Sequence, residues 1–373
     1  MGQANVRKRF LSLISAMLVS IAMLLTRSWI IRQQGNKHQS PSPHLNPTLP
    51  TPNSLTRDSA NLSDGLYTYH LNMSQFQSDF PHLQTYKCSV TLTPQTEQEL
   101  GNPKPVVIMA IKSHPRSGAR RQAARRTWAW EEEVEGYWVK TIFLIAQTEV
   151  SGQMELVALE SREFGDILQW DFNEGHHNLS LKERCFLEWL DSEVPEVKFI
   201  FKGDDDEYVN PRAVVHFIKE HGSSPNTLHG HLLRHSTVMR STKYAISKTL
   251  YSFDKYPSFL SGGGFLFPGT SVKYLHEVAQ KIPVFPLDDV YFGFLALAAN
   301  LTYRHDRRFY VSGLAFNACK YQEALVVHGI DPERLINIWT EVQRAQCQGG
   351  QRGGSFTLKS FPCGNHMCTP KLS

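Results

Sequence analysis

The sequence predicts an α/β fold with a mixed, mostly parallel sheet covered by helices on both faces. Two observations carry this. Short β-branched and aromatic runs alternate with helix-favouring segments between residues 106 and 220, the pattern of strands joined by crossover helices. The polar and acidic residues then collect just past the strands, where open α/β sheets bind ligands. Of the 373 residues, 41% are hydrophobic and 20% charged, which excludes a disordered or fibrous chain. A net charge of +4 is too mild to indicate a nucleic-acid partner, and none is expected.

In chain order, Phe10 to Leu25 is apolar, preceded by Arg7, Lys8 and Arg9 and followed by Arg27 and Trp29. A helix rises about 1.5 Å per residue against a bilayer core of roughly 30 Å, so a span over residues 10–31 is predicted. The basic residues before it orient residues 1–9 to the cytosol and the rest to the lumen. A cleaved signal peptide is the competing reading, but no small-x-small cleavage site follows the run. Residues 32–100 read as stem and transition, because Pro41, Pro43, Pro47, Pro50 and Pro52 stand among polar residues with little to bury. A compact domain is expected over 101–347 and an irregular tail over 348–373.

Sequons at Asn61, Asn72, Asn178 and Asn300 agree with a lumenal body. So do Cys88, Cys185, Cys319, Cys347, Cys363 and Cys368, which lack zinc-site spacing and read as disulfide partners in an open pairing.

Within the compact domain, Val106 to Ile111 reads as a buried strand and Gly118 to Trp130 as a helix. Strands follow at 139–146, 167–172 and 197–201, with helices at 155–163 and 179–190. Leu181, Cys185, Phe186 and Leu190 share one side of the last helix. Asn210-Pro211 supplies an N-cap and a first-turn proline for a helix through Glu220. Further strands are predicted at 228–233 and 259–267, with helices starting near Ser271, Leu287 and Asp331.

Asp204, Asp205 and Asp206 end a strand, and in extended chain Asp204 and Asp206 share a side. Adjacent carboxylates raise each other's pKa unless a cation offsets them. Oxygen ligands of this kind suit magnesium or manganese with substrate phosphates. A solvated acidic turn is the alternative. Arg120, Arg121, Arg125 and Arg126 follow the first strand, where guanidinium groups would meet a diphosphate or else form a solvated basic face. Asp288 and Asp289 open an apolar helix, a placement worth about 0.3–1 kcal/mol without any catalytic role.

Together these segments resemble the β-1,3-glycosyltransferase family, glycosyltransferase family 31. The resemblance rests on Ile111 to Pro115 with Arg121 to Trp128, Asn178 to Lys182, Phe201 to Asp206, Tyr256-Pro257 with Ser261 to Phe265, and Asp288 to Gly293. It implies a GT-A type nucleotide-sugar-binding fold and an inverting transfer. Asp204, Asp206 and His328 are the implied metal ligands and Asp289 the implied catalytic base. Arg121, Arg125, Lys182, Asp204, Asp205, Gly263 and Gly264 are the implied donor-binding residues. The implied cofactor is Mn2+ or Mg2+.

The Asp-Asp-Val-Tyr form, the Gly-Gly-Gly-Phe run and the stretch from His328 to Trp339 are most similar to the β-1,3-N-acetylglucosaminyltransferase branch. This implies UDP-GlcNAc as donor and the 3-hydroxyl of a terminal galactose as acceptor, on glycoprotein or glycolipid. A galactosyltransferase using UDP-galactose is the alternative on the same scaffold. A catalytically silent glycan-binding or chaperone relative is the alternative of another class. A single-pass type II protein of the Golgi membrane is implied, with self-assembly or assembly with other transferases left open. Glu207 departs from the family pattern, standing where an apolar residue commonly follows the acids.

Overall fold

The computed structural model describes residues 53–55, 59–95 and 104–347. The expected membrane span at 10–31, the tail at 348–373 and Cys363 and Cys368 lie outside them. Among the described residues no helix is long and apolar enough to cross a membrane.

The chain opens with β1 (Ser54–Leu55), β2 (Ser59–Ser63) and β3 (Thr68–Asn72), an antiparallel sheet. Two short helices follow, α1 (Met73–Asp79) and α2 (Pro81–Thr85), and then β4 (Val90–Leu92). Asn72 caps α1 by accepting the Gln75 N–H at 3.3 Å. Packed structure thus begins inside the stretch expected as stem and transition over 32–100. Ala60, Leu62, Tyr69, Leu71, Phe76 and Leu83 are all buried in the main core. Their period-2 and helical spacing among polar neighbours buries one face while the average composition stays polar.

The main body runs β5 (Val106–Lys112), α3 (Gly118–Arg125), β6 (Glu132–Val134), β7 (Tyr137–Gln147), α4 (Gln153–Phe164), β8 (Ile167–Asn173), α5 (Leu179–Glu193) and β9 (Phe199–Asp204). It continues through β10 (Glu207–Val209), α6 (Pro211–His221), β11 (Thr227–Leu233), β12 (Phe259–Pro268), α7 (Val272–Ala279) and α8 (Asp288–Ala298). Last come β13 (Thr302–His305), β14 (Phe309–Tyr310), α9 (Ala318–Glu323), β15 (Val326–His328) and α10 (Pro332–Arg344).

The large sheet has the order β13-β11-β12-β9-β5-β7-β8-β4, with β6 paired to β7. Its central strands β9, β5, β7 and β8 are parallel, and antiparallel β12 and β4 flank them. Ile108 and Ala110 enter the core shared with α5, α7 and α8. Val107, Met109 and Ile111 enter the core shared with α3, α6 and α10. Burial on both faces explains why β5 reads as a continuous apolar run.

The helix predicted from Gly118 stops at Arg125, not Trp130. Thr127 donates back to the Ala123 carbonyl at 2.8 Å, and Trp128 turns into the core to donate to the Glu207 carbonyl at 3.0 Å. Among the described residues two disulfides close the fold: Cys88–Cys185 ties the N-terminal segment to α5, and Cys319–Cys347 joins α9 to the end of α10.

Candidate active site

The register of two strand pairs builds the site. Lys112 and Asp204 are partners at the carboxyl ends of parallel β5 and β9. Glu207 of β10 is the partner of His328 in antiparallel β15, and the N–H groups of Gly329 and Ile330 both donate to the Asp206 carbonyl at 3.0 and 2.8 Å. A histidine more than a hundred residues downstream is thereby fixed beside the aspartates. One ligand atom each from Asp204, Asp206 and His328 falls within 4.8 Å of the others. His328 Nε2 is 3.4 Å from Asp206 and 3.8 Å from Asp204.

Asp205 points the other way, as alternation requires. Its carboxylate accepts from Ser113 Oγ at 2.7 Å and from Arg120 at 3.0 Å, which fastens the acidic turn to α3. Two carboxylates and one imidazole make a donor set that fits manganese or magnesium and leaves positions for substrate oxygens.

A cleft of about 850 Å³ lies over this cluster and includes Asp288 and Asp289 on its wall. Both acids sit in the first turn of α8. Lys112 Nζ lies 2.6 Å from Asp288 and 3.2 Å from Asp204. Burial opposes the Lys112 charge, but Asp204 and Asp288 outweigh it and hold its pKa well above the usual lysine value. Burial also pushes Asp288 up, and Lys112 overcomes that to hold it below the usual carboxylate range. Asp289 differs. Burial first, then the charge of Asp288, raise its pKa to about 7 against the opposing pull of Lys112. Neighbouring acids with divergent pKa values are suited to different tasks. Asp204 is raised as well, chiefly by burial, with Lys112 opposing.

Three sequence expectations need correction. Arg121 is wholly buried and directs its guanidinium to Glu160 at 2.7 and 2.6 Å, Ser113 Oγ at 3.0 Å and the His114 carbonyl at 2.7 Å. Arg125 pairs with Asp166 at 2.7 and 2.8 Å and with Glu160 at 2.7 Å, between the rings of Phe143 and Phe164. Neither lines the cleft; Arg120 does, 3.5 Å from Asp206 and 41% exposed. Gly264 also faces away. It has φ +112°, and a Cβ there would meet Val326 at 2.7 Å, so packing demands this glycine.

Gly263 does line the cleft, and a Cβ would stand 3.2 Å from His328. Gly262 joins it, its open side 3.8 Å from Asp289 Cβ. Lys182 lies at the cleft, donating to the Ser113 carbonyl at 2.8 Å and to Glu174.

Lys112 was not assigned from sequence, whereas Arg120 stood among the four arginines that could meet a diphosphate. The one signal for Lys112 was its place as the first polar residue after an apolar strand. Glu207 also escaped assignment. It is fully buried, neither carboxylate oxygen has a hydrogen-bond partner, and burial followed by the charge of Asp204 pushes its pKa well above the usual range.

The galactosyltransferase family profile matches residues 119–307, half of the chain. The chain is 36% identical over 250 residues to UDP-GlcNAc:betaGal beta-1,3-N-acetylglucosaminyltransferase 7 of Rattus norvegicus, a match covering 62% of this chain and 63% of the relative. It is 33% identical over 264 residues to the acetylgalactosaminyl-O-glycosyl-glycoprotein beta-1,3-N-acetylglucosaminyltransferase of Homo sapiens, covering 66% and 69%. It is 28% identical over 280 residues to beta-1,3-galactosyltransferase 5 of Pan paniscus, covering 74% and 91%. The chain thus spans less than two thirds of the rat relative's length. The segments that build the cleft from Arg120 to Asp289 fall within the matched profile, and the chain belongs to the galactosyltransferase family, the β-1,3-glycosyltransferases of family 31.

Proposed function

We propose that this protein transfers N-acetylglucosamine from UDP-GlcNAc to the 3-hydroxyl of a terminal galactose, with inversion, on a GT-A type scaffold that depends on a divalent cation. The observation that carries this reading is the convergence of Asp204, Asp206 and His328 within 4.8 Å in the same cleft as Asp289, raised to about 7. The names of the rat and human relatives support the donor.

Asp204, Asp206 and His328 would hold the cation, Mn2+ or Mg2+, which when bound supplies positive charge for the diphosphate oxygens of the donor. Arg120 offers a second cationic group on the same side. Asp289 accepts the proton of the acceptor hydroxyl as its oxygen attacks the anomeric carbon and the bond to the diphosphate breaks. A base with a pKa near the working pH serves best, because it is deprotonated enough to act and basic enough to pull. Gly262 and Gly263 leave room for a sugar ring against the backbone between Asp289 and His328.

We place the catalytic body in the Golgi lumen, held by a single N-terminal span over residues 10–31. Two disulfides support an oxidising compartment. The partners in this reading are a UDP-sugar and a glycan acceptor.

The test incubates the purified protein with manganese, a galactose-terminated acceptor and either UDP-GlcNAc or UDP-galactose, followed by linkage analysis. Transfer of N-acetylglucosamine in β-1,3 linkage is the expected outcome. Preference for UDP-galactose, in keeping with the name of the Pan paniscus relative, would replace the donor. Consumption of neither would leave a binding protein.

A further inference from the structure

The cleft extends past Asp289 along the segment joining β11 to β12, and that segment is a built structure. Arg240 donates to the backbone carbonyls of Ile246 at 3.0 Å, Tyr251 at 2.9 Å and Phe253 at 2.5 Å. The Ile246 N–H donates to the Met239 carbonyl at 2.9 Å and closes a turn. Inside this turn Thr242 adopts φ 75°, a left-handed conformation that disfavours a residue with a Cβ by about 1–2 kcal/mol. A turn that tolerates this cost is held by its surroundings.

What the turn presents is unusual for a solvent surface. Met239 and Tyr244 are 44% and 42% exposed, and both line the cleft. Lys243 Nζ lies 4.8 Å from the centre of the Tyr244 ring, and the His176 ring packs edge-to-face with it, 5.3 Å between ring centres. The ring is therefore held in orientation and left partly bare. Large apolar side chains displayed on a rigid wall mark a binding surface.

The position of this wall decides its ligand. Tyr256 and Phe259 continue the cleft from the turn towards α8, and Phe259 packs against Gly293, where a Cβ would stand 2.5 Å from its own. The start of β12 is thus packed on the Asp289 helix. The His328 side of β12 lies at Gly263, one residue beyond Gly262 beside Asp289. This wall and Asp289 share one cleft, so an acceptor whose hydroxyl meets Asp289 has this wall beside it for its remaining sugars.

We propose that Tyr244, with Met239 beside it, is the platform on which the second sugar of the acceptor stacks, so that the protein takes glycans of two or more sugars in preference to a lone terminal sugar. The identity of the ligand rests on the transferase reading. Pyranose rings carry a face of C–H groups that packs on an aromatic ring as other apolar groups do, while their hydroxyls stay at the edge.

The test measures binding and turnover separately. Saturation-transfer NMR and titration are run with a galactose-terminated disaccharide and with methyl β-galactoside, on wild type, Tyr244→Ala and Tyr244→Phe. The wild type is expected to saturate protons of the second ring and to favour the disaccharide. Tyr244→Ala should raise the disaccharide Kd about tenfold relative to that of methyl β-galactoside, and Tyr244→Phe should keep the wild-type ratio. A ratio unchanged in Tyr244→Ala, or no saturation of the second ring in wild type, overturns the proposal. If Tyr244→Ala fails to fold, Met239→Ala carries the same comparison. A wild type that holds the second ring yet transfers no sugar leaves the platform standing and removes the transferase reading.

Discussion

Lys112 and Asp288 form a 2.6 Å ion pair that ties the end of β5 to the first turn of α8. The same ammonium reaches Asp204 at 3.2 Å. One buried cation therefore links the carboxylate cluster at the sheet to the helix that carries Asp289. It also keeps three acids close together without leaving their repulsion uncompensated.

Replacing Lys112 tests that link. Lys112 is a force that lowers the Asp289 pKa, which burial and Asp288 raise to about 7. Lys112→Met removes the opposition, so Asp289 holds its proton to higher pH. The acid limb of kcat/KM should move upward, with about a tenfold loss at neutral pH for each unit moved and a smaller loss at pH 9. An unmoved limb would separate Lys112 from the base.

The wild-type profile follows from the same group. A base works only when deprotonated, so kcat/KM should rise with pH through about 7. Asp289→Asn should lower kcat by roughly 10²–10⁴-fold while calorimetric titration shows UDP still bound. A variant that keeps its turnover assigns the proton to another acceptor.

The arginines divide by a property that charge alone does not reveal. Arg121 and Arg125 lie four residues apart, on the side of α3 that packs inward with Ala124, and the negative groups they meet are Glu160 and Asp166. Arg125→Ala should destabilise the fold by about 3–5 kcal/mol, since it strands Asp166, and Arg121→Ala should cost less because Glu160 keeps its pair with Arg125. Arg120→Ala should also cost less stability, because its side chain is 41% exposed and Ser113 Oγ still donates to Asp205, and should raise the donor KM. Thermal melts and donor titrations separate the two outcomes.

This division shows where reading from sequence stops. The parallel core was legible because strands buried on both faces read as near-continuous apolar runs, as Val106 to Ile111 of β5 and Ile142 to Ala146 of β7 do. The Asp204–Asp206 pair was legible because extended chain alternates. His328 was not legible from local pattern, since only the Glu207–His328 register brings it there. It entered through family resemblance. On α3 the choice among arginines depended on which face packs, a tertiary fact. The small N-terminal sheet was masked because a few alternating apolar residues anchor an otherwise polar segment.

Glu207 supplies the last prediction. Its carboxyl is fully buried without a hydrogen-bond partner for either oxygen, and burial raises its pKa well above that of the unfolded chain, near 4.5. A raised carboxyl pKa means that folding takes up a proton. Below about pH 4.5 both states are protonated and the group imposes no pH-dependent cost. As pH rises from there towards the folded pKa, the unfolded state gains by ionising and stability falls. Glu207→Gln keeps the shape and removes the ionisation. In the presence of chelator, variant and wild type should differ by a small constant in Tm near pH 4, and the gap should widen in the variant's favour towards pH 8. For a domain of this size each kcal/mol of relief is worth about 2–4 °C. A gap that stays flat with pH would mean that Glu207 finds in solution a partner for its charge, and that the acid at this position is accommodated by pairing.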